Sequence, residues 1–257
     1  MSGNALLGLG LAVWFGLLAL AELRWRPAGA EIPVSSDSRL VTNFGLAILI
    51  LSVSALFPLA RIGSSIVAQR LDAGLARHAD LPWIAIFALL LFADSFVGYW
   101  VHRLMHGTSL LWRLHRVHHA DQQVDVSTSL RNHPLELLIT MPASTLVILA
   151  VGAPASAVVV LQTLLVGSAI WQHADITLPR RLDHALSTVI VTQRVHRMHH
   201  SPDRAKHDRN YGELLIIWDR LFGTFDWTEG REAVGLDCQI AAPDRLLQQI
   251  WSPVYGA

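Results

Sequence analysis

The stretch at residues 82–106, PWIAIFALLLFADSFVGYWVHRLMH, joins an apolar run to a pair of histidines. The run covers about 82–101, close to the ~20 residues that an α-helix needs to span the hydrocarbon core of a membrane. His102 and His106 follow at i, i+4 spacing, so they share one face if the helix continues. This stretch predicts a membrane helix that carries two candidate metal ligands past the membrane interface.

Apolar runs of similar length recur along the chain. Hydrophobic residues make up 52% of it and charged residues only 16%, a composition unlike that of a soluble domain. We therefore predict an all-α, polytopic membrane helical bundle that forms a single domain over residues 1–257. Five spans are expected, or four if the short turn Gly152-Ala153-Pro154 joins two re-entrant helices. The predicted spans are about 5–21, 40–60, 82–101, 135–151 and 154–172.

Eight of the 13 histidines fall into three tight clusters. Within each cluster the spacing is that of one helix face, so the imidazoles point towards one place. An ion takes at most about six ligands, and usually four when it is zinc, so eight clustered imidazoles predict two neighbouring ions. The single cysteine, Cys238, leaves no set of thiolate ligands within the chain. The predicted ligands are His102, His106, His115, His118, His119, His196, His199 and His200.

The distribution of arginines predicts the orientation in the membrane. Arginines follow the first, third and fifth predicted spans, and the positive-inside rule places these regions in the cytoplasm. The three clusters then meet in one cytoplasmic helical cap, formed by about 102–133 and 173–226. The 61–81 connection falls on the opposite side, where its apolar spacing indicates an interfacial helix. The first span lacks a basic leading segment and a cleavage site, so we interpret it as a retained anchor.

Three further residues are candidates for the same centre. Asp94 lies on the helix stripe of His102, and an acid within an apolar helix is costly unless it is paired. We predict that it accepts the N–H of a ligating imidazole, the alternative being an interhelical hydrogen bond without metal. His173 follows the fifth span as His102 follows the third, and it is a predicted ninth ligand. His133 is either a tenth ligand or a cap of the fourth span.

The remaining histidines that we considered, His78, His184 and His207, have no cluster partners and are predicted to be structural. Imidazole suits iron, zinc, copper and nickel, and a His-Glu-x-x-His motif of hydrolytic zinc enzymes does not occur. Two alternatives stay open: a haem-binding membrane electron carrier, and a metal-binding membrane protein without turnover. The formal net charge of zero and the lack of a basic run argue against nucleic acid as a partner.

The order of the three clusters next to membrane spans resembles the fatty acid hydroxylase / sterol desaturase superfamily. RNHPLE at 131–136, QHAD at 172–175 and the segment from NYG at 210–212 to WDRLFGT at 218–224 support the resemblance, which covers about 94–226. It implies a non-haem di-iron oxygenase that hydroxylates or desaturates a C–H bond of a lipid, such as a fatty acyl lipid or sterol, with O2.

The resemblance also implies how the centre is built and supplied. The eight clustered histidines match the iron ligands of the superfamily directly, and His173 extends that set; zinc is able to replace iron in purified protein. Several members carry a fused cytochrome b5-like domain, for which this chain has no room. A separate electron donor is therefore expected: a ferredoxin, a cytochrome b5-like protein or a reductase.

Overall fold

This computed structural model describes residues 3–25, 37–56, 61–227, 232–236 and 244–254. Cys238 and positions 57–60 of the second predicted span lie outside the described residues. In chain order the helices are α1 (Gly3–Trp25), α2 (Asp37–Ala55), α3 (Ile62–Arg70), α4 (Trp83–Gly107), α5 (Ser109–His119), α6 (Leu137–Val151), α7 (Ala155–His173), α8 (Arg180–Leu186), α9 (Gln193–His199), α10 (Arg204–His207), α11 (Ile217–Leu221) and α12 (Leu246–Trp251).

Five of these helices, α1, α2, α4, α6 and α7, are long and apolar enough to cross a membrane. The predicted all-α bundle with five spans is thus confirmed, and the described residues hold no strand beyond one bridge between Ile190 and Leu215. Helix α4 continues through Gly107, so His102 and His106 lie on the membrane helix itself. Helix α7 ends at His173. Two spans therefore deliver histidines directly to one end of the bundle.

The core of the bundle forms where α4 packs against α6 and α7. Leu90, Ile148 and Leu161 are almost completely buried there. Helices α6 and α7 are joined by a tight turn at Gly152, whose φ of 72° is left-handed and therefore suits glycine. A Cβ on Gly152 would also lie 2.7 Å from the carbonyl oxygen of Ala73. The end of the bundle opposite to His173 is therefore closed by the connection that follows α3.

Helix α3 packs against this closed end through small residues. Gly63, Ser64, Ser65 and Ala68 are buried, and Ser65 Oγ donates to the carbonyl oxygen of Ala153 at 2.6 Å. Small residues let helices approach closely, which is how helices pack inside membranes.

Charged residues near the ends of α1 and α2 attach the cap to the bundle. The Glu22 carboxylate accepts hydrogen bonds from the backbone N–H groups of Val126 and Asp175, at 2.9 and 2.6 Å. Arg39 donates to Asp121 through Nε and Nη2, at 2.7 and 3.0 Å. All of these polar groups are buried, and each is satisfied by its partner. Buried polar contacts therefore hold the cap that carries the histidines against the membrane helices.

Candidate metal centre

The clustered histidines converge on two adjacent points in the cap. We call the first group site 1; its members are His102, His106, His115, His119 and His199. We call the second group site 2; its members are His118, His173, His196 and His200. In each group one nitrogen per ring lies within 4.8 Å of all the others, and every ring is buried. The two sites adjoin, because the rings of His119 and His200 are stacked with centroids 4.6 Å apart.

Each site draws on separate parts of the chain. Site 1 takes two rings from α4, two from α5 and one from α9. Site 2 takes one ring from the end of α5, one from the end of α7 and two from around α9. Apart from His200, which directly follows α9, the clustered histidines lie on helices, so their i, i+3 and i+4 spacings place the rings of each cluster on one side of the helix. Sites 1 and 2 together comprise nine residues, which are the eight cluster histidines and His173.

Hydrogen bonds to the backbone fix the tautomers of two rings in site 1. Nδ1 of His102 lies 2.8 Å from the carbonyl oxygen of Tyr211, and Nδ1 of His199 lies 2.7 Å from that of Arg209. A carbonyl oxygen only accepts, so both Nδ1 atoms carry the proton and both Nε2 atoms carry a lone pair. The two Nε2 atoms lie 3.0 Å apart. Two lone pairs cannot hydrogen-bond to each other, so a cation between them fits this arrangement.

Site 2 repeats the pattern. Nδ1 of His118 lies 2.9 Å from the carbonyl oxygen of Arg131, and Nδ1 of His173 lies 2.6 Å from that of Ala169. Both Nε2 atoms therefore carry lone pairs, and they lie 3.1 Å apart. Nε2 of His196 lies 2.9 Å from Nε2 of His173. The donor set of site 2 also fits a cation.

The separations between neighbouring ring nitrogens match those of ligands on one ion. Six such Nε2 pairs in the two sites are 2.9 to 3.2 Å apart. Two nitrogens bound at about 2.1 Å lie ~3.0 Å apart when the angle between them is a right angle, and ~3.4 Å apart when it is tetrahedral. The observed values are nearer to the right angle. Site 1, with five rings, therefore fits a metal that takes more than four ligands.

Burial sets the protonation state of the rings outside the membrane spans. It lowers the pKa of His118, His119, His196, His199 and His200 well below the usual value, and neighbouring imidazoles lower it further. These rings are neutral at neutral pH. A neutral imidazole is the form that binds a metal.

Two carboxylates contact rings of site 1. Glu136 places Oε2 at 3.3 Å from Nδ1 of His115 and accepts the backbone N–H of His133 at Oε1. Asp208 places Oδ1 at 3.2 Å from Nδ1 of His106, whose Nε2 is buried without a partner among the described residues. A carboxylate on the second ring nitrogen orients a metal-binding imidazole. Neither acid was singled out from the sequence for this role, although Glu136 belongs to the RNHPLE motif.

Asp94 does not make the predicted contact with a ligating imidazole. Its carboxylate lies 4.0 Å from Nη1 of Arg61, and the ring proton of His102 is taken by Tyr211. Residues 94 and 102 are eight positions apart on α4, which separates them by ~12 Å along the helix axis. This axial distance exceeds the reach of the Asp94 side chain. The observed partner of Asp94 corresponds to the alternative of an interhelical contact.

His133 lies outside both sites and caps a short helical turn. Its Nδ1 accepts the N–H of Leu135 at 3.2 Å, so its Nε2 carries the proton and faces the carbonyl oxygen of Ile250 at 3.1 Å. No lone pair is left for a metal. The cap begins the turn that leads into α6, which was the alternative role considered for this residue.

The three histidines predicted to be structural also lie outside sites 1 and 2. His78 and His184 are exposed. His207 is buried next to site 1, where its ring stacks on Trp112 with centroids 5.2 Å apart and its Nδ1 lies 3.1 Å from the carbonyl oxygen of Ser201. It forms a further group of possible ligands with His106 and Asp208.

A cavity of about 270 Å³ opens onto both sites at once. Its walls include rings of site 1, His102 and His115, and rings of site 2 such as His118 and His173. The rest is lined by apolar side chains from α2, α4, α6 and α7 and by a similar number of polar side chains, among them Glu213. An organic molecule in this cavity would therefore contact both groups of histidines.

Comparisons with known proteins agree with this geometry. Human alkylglycerol monooxygenase is 31% identical over 157 residues, which cover 61% of this chain and 34% of that protein. Ornithine lipid hydroxylase OlsE of Rhizobium tropici is 27% identical over 237 residues, 86% of this chain and 69% of that protein. Human lathosterol oxidase is 27% identical over 147 residues, 55% and 45% of the two chains. This chain thus spans about a third of the length of the alkylglycerol monooxygenase.

No solved structure matches the chain. The model of the fatty acid hydroxylase family matches residues 87–224, which contain every histidine of sites 1 and 2. The match covers more than half of the chain, so the resemblance seen in the histidine clusters is confirmed: this membrane protein belongs to the fatty acid hydroxylase family.

Proposed function

We propose that this chain is an integral membrane oxygenase that hydroxylates, or desaturates, a C–H bond of a membrane lipid with O2, two non-haem iron ions and external electrons. The observation that carries the proposal is the pair of adjacent imidazole sets, each with lone pairs that face one another, on the wall of a single cavity. The names of the relatives support the reaction class: they are monooxygenases, a hydroxylase and an oxidase.

The donor set favours iron over a structural zinc ion. Structural zinc sites are almost always tetrahedral with four ligands, whereas site 1 offers five imidazoles. Bound iron would supply the activation of O2 and the oxidation of the lipid. The rings of site 1 and site 2 would hold the two ions, and the backbone carbonyls of Tyr211, Arg209 and Arg131 keep the metal-facing nitrogens free of protons. These rings would bind iron without prior loss of a proton.

The cavity provides the place for the lipid. Side chains such as Ile50, Val101, Met105 and Leu165 form an apolar part of its wall, which would accommodate hydrocarbon. It lies where α4 and α7 enter the cap, close to the membrane interface. A lipid would therefore reach the histidines from the bilayer without leaving it completely.

The relatives indicate the kind of substrate. Their printed names refer to an alkylglycerol, an ornithine lipid and lathosterol, three lipids of different structure. We extend to this chain only what they share, which is action on a lipid. We also propose that the metal sites face the cytoplasm, as the arginine distribution indicates. A ferredoxin, a cytochrome b5-like protein or a reductase would deliver the electrons.

The proposal is tested with the full-length protein, purified in detergent and loaded with ferrous iron. We expect about two iron ions per chain and no Soret band. Incubation with a total membrane lipid extract, ¹⁸O2 and a ferredoxin–reductase system should give lipids that gain one labelled oxygen atom or lose two hydrogen atoms. A Soret band would identify the haem-binding alternative. Iron binding without any oxygen-dependent product would identify a metal-binding protein without turnover.

A further inference from the structure

Glu213 lines the cavity, and its carboxylate has no partner among the residues that the structure describes. Its backbone is fixed, because its carbonyl oxygen accepts from Ser168 Oγ at 3.0 Å and from Gln172 Nε2 at 3.1 Å. Its carboxylate lies beside Gly98 of α4, where an added Cβ would be 3.6 Å from Oε2. Within the part of the chain that the structure describes, this carboxylate makes no hydrogen bond and no ion pair. The side chain is exposed and helps to line the cavity.

Gln172 adds a second acceptor on the same wall. Because its Nε2 donates to the carbonyl oxygen of Glu213, the orientation of the amide is fixed and Oε1 is its free end. Oε1 is buried and has no hydrogen-bond partner among the described residues. Gln172 also lines the cavity and precedes His173 of site 2. Two residues of the cavity wall, Glu213 and Gln172, therefore carry acceptor oxygens without a donor in the described part of the chain.

The charge of Arg61 compensates Glu213 only in part. Arg61 lies 4.0 Å from Asp94 and lowers the pKa of Glu213, but desolvation, followed by the charge of Asp94, raises it overall. A lipid that fills the cavity would displace water from this exposed carboxylate, and withdrawing a charge from water costs free energy unless the lipid itself supplies a hydrogen-bond donor.

We propose that Glu213 and Gln172 bind a hydrogen-bond donor of the lipid substrate, either a hydroxyl or an ammonium group, so that the polar end of the lipid enters the cavity. This inference rests on the proposed oxygenase function. The cavity, at about 270 Å³, is slightly smaller than the roughly 300–1,000 Å³ of sites that enclose a whole small molecule, so it takes only one end of a lipid. The oxidised carbon then lies close to the polar group, and the distal chain stays in the bilayer.

The test compares lipids that differ only in their donors. The probes are hexadecylglycerol ether and its dimethyl ether, and hexadecylamine and its trimethylammonium analogue, which keeps the charge but has no N–H. Binding to the purified full-length protein in micelles is measured by native mass spectrometry, independently of turnover. We expect the wild-type protein to bind at least one donor lipid about tenfold more tightly than its methylated twin, the effect of a hydrogen bond to a charged group.

Two substitutions separate the sources of the donor. Glu213→Leu removes the acceptor and should abolish the discrimination for both pairs. Glu213→Gln keeps an acceptor oxygen but loses the charge, so a hydroxyl lipid should retain much of its preference and an ammonium lipid should lose it. Asp72→Asn makes the same change of charge at an exposed side chain near the closed end of the bundle, and it should change nothing.

The outcomes distinguish this inference from the function on which it rests. Equal binding of both members of each pair by the wild-type protein would overturn the inference, even if the iron-loaded protein oxidises a lipid. Loss of bound iron in Glu213→Leu would also overturn it, because the carboxylate would then serve the metal centre. If the protein oxidises no lipid but still prefers donor lipids over their methylated analogues in a way that depends on Glu213, the proposed binding site would stand and the oxygenase function would be rejected.

Discussion

Glu136 joins His115 to His133 through its two carboxylate oxygens. Oε2 lies 3.3 Å from Nδ1 of His115, and Oε1 accepts the backbone N–H of His133 at 3.1 Å. One side chain thus orients a ring of site 1 and stabilises the turn that leads from His133 into α6. The metal centre and the fourth span are mechanically connected at this residue.

Replacement of Glu136 should weaken metal binding more than it destabilises the fold. We expect Glu136→Gln to lower lipid oxidation and iron affinity at site 1 by roughly 10–100-fold, which is typical when an orienting partner of a metal ligand is lost. Asp94→Asn should instead lower thermal stability and keep bound iron, because Arg61 is its partner. Iron per folded chain and oxidation per bound iron are the measurements. Equal iron affinity in Glu136→Gln and the wild-type protein would contradict the role given to Glu136.

Single ligands should be tested in each site separately. His199→Ala removes a ring of site 1 and His118→Ala removes a ring of site 2, so we expect each variant to lose oxidation and to bind one iron ion less tightly. His78→Ala and His184→Ala are matched controls, because both rings are exposed and outside the two sites. Elemental analysis and product formation give the readouts. Normal turnover in either ligand variant would remove the basis of the metal assignment.

The ion pair between Arg39 and Asp121 should contribute to stability. Burial would raise the pKa of Asp121, but Arg39 overcomes this effect and keeps it below its usual value, so the carboxylate is charged. Arg39→Ala leaves that charge buried, and we expect it to cost about 3–5 kcal/mol. Arg77→Ala breaks an exposed pair with Asp72 and should cost at most about 1 kcal/mol. The free energy of unfolding of both variants is measured in detergent. Similar decreases in the two variants would show that the buried ion pair contributes no more to stability than the exposed pair.

The metal-free protein should lose stability in mild acid. Five rings of the two sites have lowered pKa values in the folded state, so the unfolded chain binds more protons below the ordinary histidine pKa of about 6.5. The contribution is fully present above that pH and decreases as the pH falls through it. Iron-loaded protein should show a weaker dependence until protons displace the metal. Melting temperatures of both forms between about pH 5 and 8 test this, and identical slopes would contradict it.

The sequence predicted the spans and the grouping of histidines because both depend on periodicity. Helix length fixed the five spans, and i, i+3 and i+4 spacing placed the rings on shared faces. The partners of the rings could not be predicted in this way. Tyr211, Arg209 and Ala169 contribute backbone carbonyls, which every residue possesses. Glu213 also gave no signal, because an isolated acid reveals its surroundings only when the packing of α4 and α7 is known.

The backbone acceptors have a consequence for how the centre tolerates mutation. When a ring donates to the carbonyl oxygen of Arg209 or Tyr211, a change of the side chain at that position leaves the acceptor in place. The orientation of these rings then depends on the path of the main chain. Many side-chain substitutions at the supporting positions would leave it unchanged. Selection can hold the histidines constant while their supporting residues diverge.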